Sequence, residues 1–140
     1  MARAVFDTVV FVRALINPHG LCGRLVSELY DRYELVLSPA IVREILEVLR
    51  RPEIVSKARR LGHMRWEGVL NLLALAEVVE PRRAVAVSRD PKDNMFIEAA
   101  IEGAAAFVVS EDKDLLALDG YEGLRILRCG EFMELLAAGG

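Results

Sequence analysis

Glutamine is absent from the 140-residue chain, asparagine occurs three times, and 15 of the 18 basic residues are arginine. A shortage of labile amides beside abundant arginine suggests a heat-adapted source. Cysteine is equally scarce. Cys22 and Cys129 show neither metal-ligand spacing nor a disulfide framework, which predicts two inert thiols in a reducing compartment. Long apolar runs are missing as well: none approaches the ~18 residues of a membrane span. Arg3 and Asp7 interrupt the first apolar stretch, so no signal peptide is expected. These absences exclude membrane anchoring and point to a cytoplasmic location.

A hydrophobic share of 54% over this length predicts one domain, residues 1–140, with a proper core. The net charge of -3 conceals an uneven distribution. From Arg43 to Arg65 there are seven basic and three acidic residues; from Asp90 to Asp114 there are seven acidic and two basic. An acidic pocket beside a basic arm suits a metal site that handles a polyanion, and two solvated helix faces would give the same counts.

The acidic stretch organises the chain. Asp90, Asp93 and Asn94 open an apolar helix, Met95 to Glu102, which Gly103 stops. Glu98 and Glu102 lie one turn apart on a single stripe, so protein must cover nearly every other face. Ala104 to Val109 reads as a strand buried on both faces, and Ser110-Glu-Asp-Lys-Asp114 leaves its C-terminal end. Upstream, Arg3 to Phe6 is a strand ending at Asp7, and Thr8 to Ile16 is a helix on architectural grounds despite its β-branched residues. A turn at Asn17–Gly20 precedes a helix carrying Cys22, Leu25, Val26, Leu29 and Tyr30. Glu34 to Leu37 is the second strand. Ser38-Pro39 starts a helix reaching about Arg51, with Glu44 able to look inward and Glu47 on the opposite face. Two more helices, broken near Gly62-His63, lead to a strand at Glu77 to Glu80, and His63 and Trp66 are expected to pack. A last strand at Arg125 to Leu127 and a helix at Gly130 to Leu136 close the chain. The alternation predicts a three-layer α/β/α fold around a mainly parallel five-stranded sheet.

With the sheet order 3-2-1-4-5, the first strand and the strand near Val109 are neighbours at a topological switch point, and Asp7, Glu44, Asp93 and Asp112 can meet at one edge. Singly, each acid has a plain alternative as a helix cap or a rim carboxylate. Together they do not. Four carboxylates at ~6 Å make six pairs repelling by ~3 kcal/mol each at an effective dielectric of ~20. That sum exceeds the ~5 to 15 kcal/mol stability of a domain. Such a cluster needs protons or a divalent cation, and hard oxygen donors point to Mg²⁺ or Mn²⁺.

These residues resemble PIN-domain ribonucleases, in particular the single-domain prokaryotic branch that supplies toxins of toxin-antitoxin pairs. The likeness runs through four ordered blocks: Val5-Phe-Asp7-Thr8, Leu37 to Pro52 around Glu44, Asp90-Pro-Lys-Asp93-Asn-Met-Phe96, and Val109-Ser-Glu-Asp112-Lys-Asp114-Leu-Leu. The resemblance implies Asp7, Glu44, Asp93 and Asp112 as metal-binding acids, with Thr8, Ser110 and Asp114 as auxiliary groups. It also implies an antitoxin protein partner and a homodimer or higher homo-oligomer. At one position the chain departs from the pattern: the asparagine that usually follows Asp-Thr is Val9 here.

The expected activity is hydrolysis of RNA phosphodiesters by a Mg²⁺- or Mn²⁺-dependent endoribonuclease, with the phosphates guided by Arg43, Arg50, Arg51, Arg59 and Arg60. Because all four positions stay acidic, an altered nuclease is favoured over a dead one. The alternative, motivated by Val9, is a catalytically weakened or inactive module that binds RNA or protein. A receiver-like domain and a haloacid-dehalogenase-type phosphatase both need an acid that is missing, at Ser38 or at Val9 respectively.

Overall fold

The computed structural model describes residues 1–60 and 66–139. The predicted helix break at Gly62-His63 and the packing of His63 lie outside the described residues. Five strands, β1 (Ala2–Phe6), β2 (Tyr33–Leu37), β3 (Glu77–Val78), β4 (Phe107–Val109) and β5 (Arg125–Leu127), form one sheet in the order β3-β2-β1-β4-β5. Every pairing is parallel. The helices are α1 (Thr8–Ile16), α2 (Leu21–Ser27), α3 (Pro39–Leu49), α4 (Pro52–Arg60), α5 (Glu67–Leu75), α6 (Asn94–Glu102), α7 (Lys113–Leu116) and α8 (Cys129–Ala137).

Side-chain alternation along β2 shows how the layers form. Tyr33 meets Phe132 of α8 with ring centroids 5.7 Å apart, whereas Val36 lies against Gly103 at the end of α6. Odd and even positions of a strand face opposite sides, so α8 and α6 cover opposite faces of the sheet. Phe6 completes the aromatic cluster with Phe11, Tyr33 and Phe132, and the Tyr33 hydroxyl donates to the Leu25 carbonyl at 2.9 Å. At the N-terminal end of the sheet Arg3 joins several elements, pairing with Glu34 and Glu77 and donating to the Gly103 carbonyl.

Helix α2 stops at Ser27, so Leu29 and Tyr30, expected on it, lie beyond its end, and β3 ends at Val78 where a strand to Glu80 was expected. Sequence and structure part further at two places. The run expected to be a buried strand from Ala104 is a strand only from Phe107; Ala104 and Ala106 are exposed. Residues 103–105 instead close α6, with Gly103 N–H donating to Ala99 O and Ala105 N–H to Ala100 O, and Ala104 takes the left-handed backbone (φ 51). Gly103 itself has φ -84 and serves packing, since a Cβ there would stand 2.5 Å from Val36 Cγ1. The second difference concerns the cysteines. Rather than two inert thiols, Cys22 and Cys129 form a disulfide joining α2 to α8 across 107 residues. Only the folded chain brings them together, so spacing along the sequence could not reveal it.

Among the described residues no single helix is long and apolar enough to cross a membrane.

Candidate active site

The register of the two central strands builds the site. Phe6 pairs with Val109, and the next residues continue the ladder: Asp7 N–H donates to Val109 O at 3.0 Å and Ser110 N–H to Leu127 O at 2.9 Å. Asp7 and Ser110 therefore stand side by side at the C-terminal edge of the sheet, where open α/β folds place ligands. The buried Ser110 hydroxyl donates to Asp7 Oδ2 at 2.5 Å, and Asp7 Oδ1 accepts the Val10 N–H at 3.1 Å, capping α1. The same Ser110 oxygen accepts the Asp112 N–H at 2.9 Å, and Asp112 Oδ1 accepts the Asp114 N–H at 3.0 Å. One chain of hydrogen bonds thus runs from Asp7 to Asp114.

Asp93 arrives from the other side. The Pro91–Asp93 turn before α6 is capped by Asp90, whose Oδ1 accepts the Lys92 N–H at 3.1 Å. Asp93 caps nothing. Its residue is 8% exposed, and among the described residues its Oδ2 is buried with no hydrogen-bond partner. Carboxylate oxygens of Asp93, Asp112 and Asp114 lie within 4.8 Å of one another. Asn94, next in sequence, turns away and accepts the backbone N–H groups of Val87 and Ser88, fixing the approach to α6.

Glu44, half-buried on α3, accepts a hydrogen bond from the Thr8 hydroxyl, while Glu47 is exposed and pairs with Arg51. The inward and outward assignments read from helical spacing hold. Asp7, Thr8, Glu44, Asp93 and Asp112 line one open cavity of about 270 Å³, together with Val9, Val12, Val48, Phe96, Arg51 and Lys92. Of the arginines singled out in sequence, Arg51 borders this cavity; Arg43, Arg50, Arg59 and Arg60 are exposed on α3, its C-cap and α4, away from the lining. Lys92 escaped sequence reading, although its place between Asp90 and Asp93 carries it to the rim. Val12, one helical turn beyond Thr8, follows from the same periodicity.

The electrostatics match this crowding. Burial pushes the Asp7 carboxyl up to about 6, against the lowering effect of Ser110 and the Val10 N–H, with Asp112 and Glu111 adding repulsion. Asp93 is likewise raised well above the carboxylate range, first by burial, then by the neighbouring Asp112 carboxyl and by the charges of Asp90 and Asp7. Two neighbouring acids that resist ionisation are relieved either by a proton or by a cation. The donor set fits a hard divalent cation: an octahedral ion with oxygens at ~2.1 Å places its ligands ~3 to 4 Å apart. The orphaned Asp93 Oδ2 is the oxygen such an ion would satisfy.

Residues 3–114 match the profile of the PIN domain family. The chain belongs to the PIN-domain family. PIN domains are generally nucleases and typically use divalent metals. An uncharacterised protein of Methanocaldococcus jannaschii is 31% identical over 121 residues, covering 83% of this chain and 74% of that protein. Among solved structures, VapBC2 from Rickettsia felis bound to a DNA fragment from their promoter aligns with TM-score 0.56 at 12% identity, over 90% of this chain and 98% of the other. That likeness is one of fold. The profile ends at Asp114, so β5 and α8 lie beyond it even though β5 extends the PIN sheet.

Proposed function

We propose that this PIN domain is a metal-dependent endoribonuclease that hydrolyses RNA phosphodiesters and serves as the toxin of a toxin-antitoxin pair. The observation that carries the reading is the buried, unpartnered Asp93 Oδ2 beside Asp112 and Asp114. Asp7, Asp93 and Asp112 would hold Mg²⁺ or Mn²⁺, with Glu44 and Asp114 contributing carboxylates at the rim. When bound, the ion supplies Lewis acidity toward the phosphate and lowers the pKa of a water. Ser110 and the Val10 N–H keep Asp7 oriented, and Thr8 does the same for Glu44. Arg51 and Lys92, on the cavity wall, attract the RNA backbone, while Arg43, Arg50, Arg59 and Arg60 extend the positive field along α3 and α4. The antitoxin partner and the homodimer or higher homo-oligomer follow from the family resemblance, and the likeness to the R. felis VapBC2 assembly supports the first of these.

Purified protein incubated with single-stranded and structured RNA in Mn²⁺ should cleave, and Asp7→Asn should lose at least ~100-fold of that activity. Equal cleavage by both proteins would mean contamination. Val9 favours a second reading. It is 40% exposed on the cavity wall and offers no polar group there. A silent module would bind RNA without metal-dependent cleavage, and Val9→Asn would leave it silent.

A further inference from the structure

Three observations converge on the Cys22–Cys129 bridge. The Cα atoms are 5.5 Å apart, inside the range a disulfide spans. Glu111 sits against the pair: its Oε1 accepts the Cys129 N–H at 3.1 Å and lies 4.0 Å from Cys22 Sγ, and its Oε2 accepts from Arg128 at 3.1 Å. An open cavity of about 500 Å³ reaches the bridge from Cys22's side, with Glu111, Arg13 and Lys57 also in its wall, whereas Cys129 is fully buried and outside that lining. Glu111 stands between Ser110, which orients Asp7, and Asp112.

We propose that Cys22–Cys129 is an exchangeable disulfide, entered at Cys22 through this cavity, that sets the position of the acid-bearing segment 110–112 through Glu111. An external thiolate attacks the Cys22 sulfur, forms a mixed disulfide with it and releases Cys129 as a thiolate. A second external thiolate displaces Cys22, so the bridge gains two electrons, both cysteines take up protons, and two external thiols leave as one disulfide. Arg13 and Lys57 give the entrance a positive field that draws in an anionic thiolate. Cys129, sealed from solvent, is the leaving sulfur.

Reduction changes what Glu111 sees. In the dithiol form Cys22 becomes an S–H donor within reach of Oε1, competing with the Cys129 N–H, and the first turn of α8 is no longer tied to α2. Asp112 is one residue away and follows. The consequence for cation binding rests on the site reading given above; the exchange chemistry does not.

The test compares oxidised and dithiothreitol-reduced protein, each with Glu111→Ala and with a Cys22→Ser/Cys129→Ser variant checked for folding by circular dichroism. Alkylation and mass spectrometry should count no free thiol before reduction and two after it. Reduction should weaken Mn²⁺ binding, followed by electron paramagnetic resonance, roughly tenfold. It should also speed hydrogen exchange at the Asp112 and Asp114 amides, and the double-serine protein should behave as the reduced form. Oxidised Glu111→Ala should already bind weakly and ignore reduction. Two thiols that persist under excess oxidised glutathione would overturn the exchange chemistry. Unchanged exchange at 110–114 on reduction, or a Glu111→Ala protein that responds as fully as the parent, would overturn the coupling. If no form binds Mn²⁺, the cation-site reading fails, and the amide-exchange comparison still decides the coupling.

Discussion

Asp93 holds a poorly compensated charge, because Asp90 has taken the capping role and left its carboxylate facing two other acids. Replacing it with asparagine should stabilise the cation-free protein by on the order of 1 kcal/mol at pH 7.5 while abolishing metal-dependent cleavage. Urea unfolding in chelator, beside an RNA assay, measures both. Asp7 gives the pH dependence. Its carboxyl titrates near 6 in the fold against an ordinary value of 3.8, so as pH rises the unfolded chain loses this proton first. Folding stability from this group therefore falls between about pH 4 and 6, by up to about 3 kcal/mol. The stability advantage of Asp7→Asn over the parent should widen across that window in chelator and shrink when Mn²⁺ is added. Both acids stood out in the sequence by motif and by place at element ends. What sequence could not decide was whether Asp93 capped its helix; that depended on Asp90 reaching Lys92 N–H first. Glu111 and Lys92 were equally opaque, since their roles come from neighbours about 20 to 90 residues distant or from a shared cavity wall.

Elements were legible where pattern and packing agree. α3 carried its start signal in Ser38-Pro39, and the Ser38 side chain does accept the Ile41 N–H. α1 is a helix against the preference of its valines and threonine, because Val10, Phe11, Ala14 and Leu15 all find core partners on one side. The alanine run before β4 misled for the opposite reason: its small apolar side chains extend the hydrophobic run without favouring a strand, and Ala104 takes the left-handed backbone at the end of α6. Close approach at glycine makes the elements testable. A Cβ on Gly23 would lie 2.4 Å from the Pro18 carbonyl carbon, which is backbone and cannot swing aside. Gly23→Ala should cost about 2 kcal/mol or more, and Gly103→Ala somewhat less, since the closest atom there belongs to the Val36 side chain and the Ala99 carbonyl oxygen stands farther off at 3.2 Å. Thermal denaturation of the two variants would rank them.

At the scale of the whole molecule the sheet order was readable, because alternating strands and helices leave few arrangements that bring Asp7 and Asp112 to one edge. The cysteine pairing was not, as nothing in a separation of 107 residues marks two thiols as partners. A cross-link closing a loop of that length restricts the unfolded chain severely. Reduction should lower the unfolding free energy by about 3 to 5 kcal/mol, seen as a drop in the denaturant midpoint together with a steeper slope, because the released unfolded chain exposes more surface.

Finally, β4 is the fourth strand to be made yet pairs with the first, and Ser110 meets Asp7 at a sequence separation of 103. A chain still emerging from the ribosome holds Asp7 and Glu44 but lacks Asp112 until β4 has been made. Products cut short before Asp112 therefore cannot assemble the acid cluster, and whatever chemistry that cluster performs is withheld from such fragments by the topology alone.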